Sequence, residues 1–254
     1  MSFIVLTQVN RMTTNRRYPV IEIFGPTVQG EGMVIGQKTA FVRMAGCDYR
    51  CVWCDSAFTW DGTGKDEIRQ MTAEEIVEEL DRITGNTVAH VTISGGNPAL
   101  LPHLDGLIKA LHARGFEVAL ETQGSIWQDW FLCIDQLTLS PKPPSSRMKT
   151  DWGVLDEIVR RLTEHESRFS LKIVVFDETD LQYAVEIHQR YPGVPLFLQA
   201  GNPDVQEPDP QALLPRLMQR YLWLAEQTMA STELKNVRVL PQLHAWLWGN
   251  KRGK

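Results

Sequence analysis

The sequence predicts an α/β fold built on a largely parallel sheet. Three observations carry that expectation. Strand-length apolar runs alternate with helix-length amphipathic runs along nearly the whole chain. Short Gly-, Pro- or Asn-bearing turns separate them. No internal repeat or low-complexity linker interrupts the series. Alternation of this kind implies right-handed β-α-β units.

The elements follow in order. Residues 18–24 alternate around Val20, Ile21, Ile23 and Phe24 and read as a strand. Gly25, Pro26, Gly30, Gly32 and Gly36 then make a turn-rich loop, and residues 39–45 form a second strand. Residues 46–66 hold three cysteines and little regular structure. Thr72-Ala-Glu-Glu75 is a capping box, followed by Ile76, Val77, Leu80 and Ile83 on one helical face. Residues 88–94 are a buried strand ending in Gly95-Gly96. A helix over 100–114 stops at Gly115, and a strand over 116–122 ends before Gly124. Strands at 136–140, 170–176, 195–199 and 237–240 alternate with helices at 151–163, 180–191 and 209–230. Residues 202–210, acidic and proline-rich, are a loop.

With 254 residues the chain buries roughly 73% of its unfolded surface, enough for a full core without staples. Hydrophobic residues at 43% and charged residues at 22% exclude disordered and collagen-like classes. A net charge of -5 gives no basic face for nucleic acid; basic clusters occur only at 11–17 and 251–254. No run approaches the ~18–20 apolar residues of a membrane helix, and the start, Met1-Ser-Phe-Ile-Val-Leu, lacks the features of a signal peptide. The expectation is a cytoplasmic protein with no nucleic-acid or membrane partner. Residues 1–17 read as an extension to a single domain over 18–254.

Of the four cysteines, Cys47, Cys51 and Cys54 crowd into a C-x3-C-x2-C run, and Cys133 stands apart among apolar neighbours. Thiolates suit zinc, copper or iron–sulfur clusters. A structural zinc site needs four ligands, and the local count is three. Cys133 reads as a small buried thiol, and His90, which also could complete a zinc site, as a packed core histidine. Three thiolates on a four-iron cluster leave one iron open to chelate the amino and carboxylate groups of S-adenosylmethionine (SAM). In a parallel sheet, ligands bind beyond the carboxyl ends of strands. The cysteine loop, Gly95 to Pro98, Glu121 to Gly124, Ser140 to Lys142 and Gln199 to Asn202 all lie at such ends and converge on one face.

The cysteine spacing, with Trp53 before the last cysteine, resembles the radical SAM superfamily. Ser94-Gly95-Gly96-Asn97-Pro98 matches that superfamily's Gly-Gly-Glu-Pro motif, with Asn97 in place of the usual Glu. The resemblance narrows at Phe24-Gly-Pro-Thr-Val28-Gln29-Gly30-Glu31-Gly32, Phe41-Val-Arg43, Cys54-Asp55-Ser56, Ser140-Pro141-Lys142 and Pro241-Gln-Leu-His244. Over residues 18–250 the chain is similar to the 7-carboxy-7-deazaguanine synthase family, of the type common in Gram-positive bacteria.

The resemblance implies a partial, reduced TIM-like β/α barrel of the radical SAM type. It implies a ring-contracting lyase that converts 6-carboxy-5,6,7,8-tetrahydropterin to 7-carboxy-7-deazaguanine with loss of ammonia, on the route to queuosine and related 7-deazapurines. SAM is regenerated in that reaction. The implied cofactors are a 4Fe-4S cluster on Cys47, Cys51 and Cys54, SAM, and Mg2+ at Ser56. The implied partners are the pterin, an external electron donor such as flavodoxin or ferredoxin, and a second copy in a homodimer. Val28, Gln29, Gly30, Glu31, Arg43, Ser94 and His244 would face the pterin. Glu31 suits its guanidine-like N–H edge, and the planar fork of Arg43 its carboxylate. Trp53, Cys54, Asp55, Gly95, Gly96, Glu121, Ser140, Pro141, Lys142, Gln199 and Asn202 would surround SAM. Two other readings stay open: another radical SAM enzyme such as a glycyl-radical activase, and a non-enzymatic iron–sulfur or zinc module. Trp246 and Trp248 would either bury in a subunit interface or close the barrel's open side.

Overall fold

The computed structural model describes residues 16–254. The predicted extension over 1–17 therefore lies, but for Arg16 and Arg17, outside the described residues.

Among the described residues, nine strands form one open sheet in the order β3-β1-β2-β4-β5-β6-β7-β8-β9. They are β1 (Tyr18–Val28), β2 (Lys38–Met44), β3 (Arg69–Met71), β4 (His90–Gly95), β5 (Glu117–Thr122), β6 (Gln136–Leu139), β7 (Phe169–Val175), β8 (Leu196–Ala200) and β9 (Arg238–Leu240). From β2 to β9 every neighbouring pair is parallel. β1 runs antiparallel to both β2 and β3, and β3 makes one edge. The helices are α1 (Ala73–Thr84), α2 (Asp105–Ala113), α3 (Trp152–Glu164), α4 (Glu178–Arg190), α5 (Pro210–Ala230) and α6 (Leu243–Trp248). Thr72 caps α1 with both bonds of the expected capping box.

The period-2 alternation of the strands sorts the interior into two faces. Val91 and Ile93, Val118 and Leu120, Leu137 and Leu139, Leu171, Ile173 and Val175, and Leu196 and Leu198 share one apolar core with Leu80, Leu107, Ile108, Leu155, Ile158 and Ile187 of the helices. The alternate positions face the other way and are largely polar yet buried: His90, Thr92 and Ser94, then Gln136 and Thr138, then Ser170 and Lys172, then Gln199. Buried polar groups persist only when paired. His90 shows the pattern, with Nδ1 2.8 Å from Thr39 Oγ1 and Nε2 3.0 Å from Gln136 Oε1.

Several boundaries differ from the sequence reading. β1 continues four residues beyond the expected end, through the Gly-Pro step, because β2 pairs with it as far as Val28. The helix expected over 100–114 begins only at Asp105. Pro102 disfavours the helical region for the residue before it, and Leu101 is extended at φ -99°, ψ 96°. β3 and α6 were not anticipated, being three and six residues long. Cys133 is exposed rather than buried. A short 3-10 turn, Asp129–Cys133, buries Trp130 and Phe131 instead.

Candidate active site

One cavity opens at the carboxyl ends of the parallel strands. Four of the five expected strand ends reach it directly: the cysteine loop after β2, Gly95 and Gly96 at the end of β4, Glu121 to Gln123 at the end of β5, and Ser140 and Lys142 after β6. The fifth, after β8, contributes Asn202. All seven residues expected to face the pterin line the cavity, as do Trp53, Cys54, Asp55 and Ser56.

Close backbone packing sets the cysteine loop. A Cβ on Gly96 would lie 2.1 Å from the Gly46 carbonyl oxygen and 2.8 Å from Cys47 Cβ, so only glycine admits the loop here. Two backbone bonds complete the seam, Gly96 N–H to Met44 O at 3.2 Å and Asn97 N–H to Gly46 O at 2.8 Å. Asn97 itself is 1% exposed and does not line the cavity. Its amide donates to Asp48 and Ser125, and its oxygen accepts from Thr122 Oγ1 at 2.7 Å and the Ala99 N–H at 3.1 Å. The residue replacing the usual Glu is thus a clamp between the cysteine loop and the ends of β4 and β5.

The donor set suits an iron–sulfur cluster. Cys47, Cys51 and Cys54 all line the cavity, and no disulfide joins them. Burial raises the pKa of each thiol, that of Cys51 to about 11, so the thiolates need a metal rather than solvent to stabilise them. Donors already point at two of the sulfurs: the Tyr49 N–H at 3.4 Å and Gln123 Nε2 at 3.6 Å from Cys47 Sγ, and Trp60 Nε1 at 3.5 Å from Cys54 Sγ. Cys133, before β6 and so at the strand's other end, is no part of this group.

A second group forms where the two ends of the described chain meet. A Cβ on Gly30 would fall 2.4 Å from His244 Nδ1, so glycine at 30 lets His244 approach. The Leu243 N–H donates to Gly30 O at 3.1 Å, and Gln242 Nε2 donates to Glu31 Oε1 at 2.9 Å. Gln199, expected beside SAM, does not line the cavity. It is fully buried and bolts this junction from behind, donating to Pro241 O at 2.8 Å and sitting 3.5 Å from both Gly30 O and the Gly32 N–H. Pro141 also lies outside the lining.

Glu31 is held ionised. Burial pushes its carboxyl pKa up, but the Lys172 ammonium and nearby His244 outweigh that and hold it well below the usual range. Arg43 donates Nε to Glu22 at 2.8 Å and Nη1 to Ser56 Oγ at 3.0 Å, and its guanidinium lies near the stacked rings of Phe24 and Phe41. Ser56 in turn donates to Asp55 at 3.0 Å. That pairs a hydroxyl with a carboxylate, both hard oxygen donors of the kind Mg2+ prefers. Glu31, Asp55 and His244 each bring one ligand atom within 4.8 Å of the others. Two buried side-chain atoms of the cavity residues lack a partner, Ser94 Oγ and Gln242 Oε1. Sequence reading missed Lys172, Val174, Phe176 and Gln242. The signal for Lys172 was present: a lysine inside a strand whose seven residues are all buried.

A profile described as the radical SAM superfamily matches residues 41–180. The 7-carboxy-7-deazaguanine synthase of Bacillus cereus is 57% identical over 237 residues, 93% of this chain and 99% of the relative. The chain belongs to the 7-carboxy-7-deazaguanine synthase family. The Bacillus subtilis (strain 168) synthase is 58% identical, with 92% and 98% covered. In fold, the crystal structure of QueE from Escherichia coli superposes with a TM-score of 0.68 over 92% of this chain and 98% of that one, at 24% identity. Streptococcus suis SuiB follows at 0.55, covering 79% of this chain and 48% of that one. The radical SAM fold and its partial, unclosed barrel are therefore as the motifs implied. The synthase family rather than an activase or a non-enzymatic metal module accounts for the chain, and its cofactors are a 4Fe-4S cluster, SAM and Mg2+.

Proposed function

We propose that this chain converts 6-carboxy-5,6,7,8-tetrahydropterin to 7-carboxy-7-deazaguanine. The conversion balances as loss of ammonia alone, so it needs no net oxidant. The observation that carries the reading is the Glu31–Gln242 pair. Gln242 Nε2 donates to the ionised Glu31 carboxylate at 2.9 Å, which sets the partnerless Gln242 Oε1 beside that carboxylate as adjacent acceptors for a guanidine-like N–H edge. Gly30 and His244 frame that edge, and Gln29 holds the loop by accepting the Glu31 N–H at 2.7 Å.

In this reading Arg43 takes the substrate carboxylate, its planar fork already oriented by Glu22. Ser94 donates its free hydroxyl to the pterin. Ser56 and Asp55 hold Mg2+. Cys47, Cys51 and Cys54 hold the cluster, which with SAM supplies hydrogen-atom abstraction at C6 of the pterin when bound. Gly95, Gly96, Trp53, Ser140, Lys142, Glu121 and Asn202 hold SAM, with Lys142 kept near Ser140 by a 3.0 Å bond. The wall of Phe24, Phe41, Trp53 and Phe176 keeps water from the reacting carbon.

Flavodoxin or ferredoxin supplies the electron, and the protein acts in the cytoplasm as a homodimer; among the described residues no helix is long and apolar enough to cross a membrane. Trp246 meets Tyr221 edge-on at 5.5 Å and packs against Leu213 and Leu217 of its own chain, which favours barrel closure for that side chain. The exposed Met218, Leu222 and Met229, on one stripe of α5, support that helix as the dimer face.

The test is an anaerobic turnover assay with reconstituted protein, SAM, Mg2+, a reductant and the pterin, read by mass spectrometry. Carboxydeazaguanine with little net loss of SAM is the expected result. SAM cleavage with unchanged pterin would overturn the substrate assignment and leave the cluster assignment standing.

A further inference from the structure

Lys172 lies on the polar face of β7 with its side chain 3% exposed. Its ammonium bonds to two carboxylates at once, Glu31 on the loop after β1 and Glu121 on β5. A buried cation needs compensation, but one carboxylate supplies it. Two leave the trio with one negative charge in excess. The surplus is aimed: Lys172, Glu31 and Glu121 all line the cavity. Glu31 keeps its other oxygen on Gln242, beside His244. Glu121 adjoins Thr122 and Gln123, at the strand end that packs on the cysteine loop.

We propose that Lys172 is a positioning residue that fixes the pterin-side and SAM-side carboxylates on a single ammonium, and so sets the affinity of both subsites. This rests on the reading that Glu31 contacts the pterin and Glu121 the SAM ribose. The three donors of an ammonium allow two simultaneous bonds, whereas a methionine in its place donates none. Without the cation, the two carboxylates face each other across a poorly hydrated gap. They move apart or take up a proton, and each then presents the wrong orientation or charge to its own ligand. Glu31 and Glu121 come from opposite halves of the site, so one substitution reaches both.

The experiment measures pterin and SAM affinities separately by anaerobic calorimetry on the reconstituted protein, with melting temperature and iron content recorded for each variant. Lys172→Met is expected to weaken each ligand roughly tenfold or more. In a Glu31→Gln background its effect on the pterin should shrink to less than about twofold, and in a Glu121→Gln background so should its effect on SAM. Lys172→Arg, which keeps the charge, should recover part of both affinities. If Lys172→Met weakens binding equally in every background, or only in proportion to lost thermal stability, the residue is merely structural and the proposal fails. If Glu31→Gln and Glu121→Gln alone leave the affinities unchanged, the site assignment fails instead. If Lys172→Met does not fold, Lys172→Arg and the two Gln variants still decide whether the carboxylates act through a shared cation: the Arg variant must then alter both affinities in the parent and neither in the matching Gln background.

Discussion

The Asn97 amide lies 2.8 Å from the Asp48 carboxylate, so the negative charge missing from position 97 stands one bond away, on the cysteine loop. Gln123 and Ser125 donate to the same carboxylate at 2.5 and 2.6 Å. The motif's acid is thereby replaced by a neutral clamp and a neighbouring acid that together fasten the loop.

Asn97→Ala strips the buried Thr122 hydroxyl and Ala99 N–H of their acceptor. The expected cost is about 1–3 kcal/mol, or a fall in melting temperature of roughly 2–4 °C per kcal/mol at this length. Asn97→Asp should cost more, because it sets a second carboxylate against Asp48, and Asp48→Asn should restore part of the loss. Calorimetric melting of the four proteins checks this; an Asn97→Asp variant that melts with the parent would remove the clamp from the account.

Replacing Cys47, Cys51 or Cys54 singly by Ala should abolish iron retention after anaerobic reconstitution and with it all turnover. Cys133→Ala should retain iron at the parent level, since that thiol is exposed on the turn before β6. Iron per chain, by elemental analysis, tells the two classes apart.

Gln199→Leu keeps the volume of a fully buried side chain but removes its bond to the Pro241 carbonyl. The 241–244 segment carries Gln242 and His244 into the cavity, so pterin affinity should fall about tenfold or more. Iron content should not change. Equal loss of both would mean that the bolt serves general stability.

Burial lowers the pKa of His90 below its ordinary 6.5. Gln136 Nε2 donates to Glu117 at 2.6 Å, which turns Gln136 Oε1 toward His90 and assigns the ring proton to Nε2. As pH falls, the unfolded chain takes up a second ring proton first. The contribution of His90 is therefore complete above about pH 6.5 and declines as pH drops toward the lower folded value. His90→Gln should flatten that decline. Urea midpoints at two pH values on either side of 6.5 measure it, and an undiminished pH difference in the variant would locate the effect elsewhere.

What the sequence made legible was mostly local. Eight residues hold the three cavity thiols, two glycines mark the seam beside them, and period-2 alternation marks the strands. The boundaries that slipped depend on pairing: β1 extends because β2 continues beside it. Gln199 and Gln242 were misjudged or missed because their partners lie 42 and 211 residues away, across the sheet. Lys172 was readable in principle, since its neighbours at 171 and 173 are core residues and the alternate face is polar. Only the juxtaposition of β5, β7 and the loop after β1 gives it two carboxylates. Cys133 misled because its aromatic neighbours claim the interior.

The bond between Gln242 and Glu31 spans 211 residues, whereas the three thiols sit within eight. On loop-closure entropy alone, joining the longer loop costs about 3 kcal/mol more. The two halves of the site therefore stand on different folding footings. The thiol loop is fastened from β4 and β5, by Asn97 and Gln123 on Asp48, across 49 and 75 residues. The bonds of Gln242 to Glu31 and of Leu243 to Gly30 form a latch, and a fluctuation that frees β9 and α6 from the sheet would open it while the thiols stay gathered. Amide hydrogen exchange should resolve the two, with Leu243 exchanging faster than Cys54 once each is corrected for its intrinsic rate.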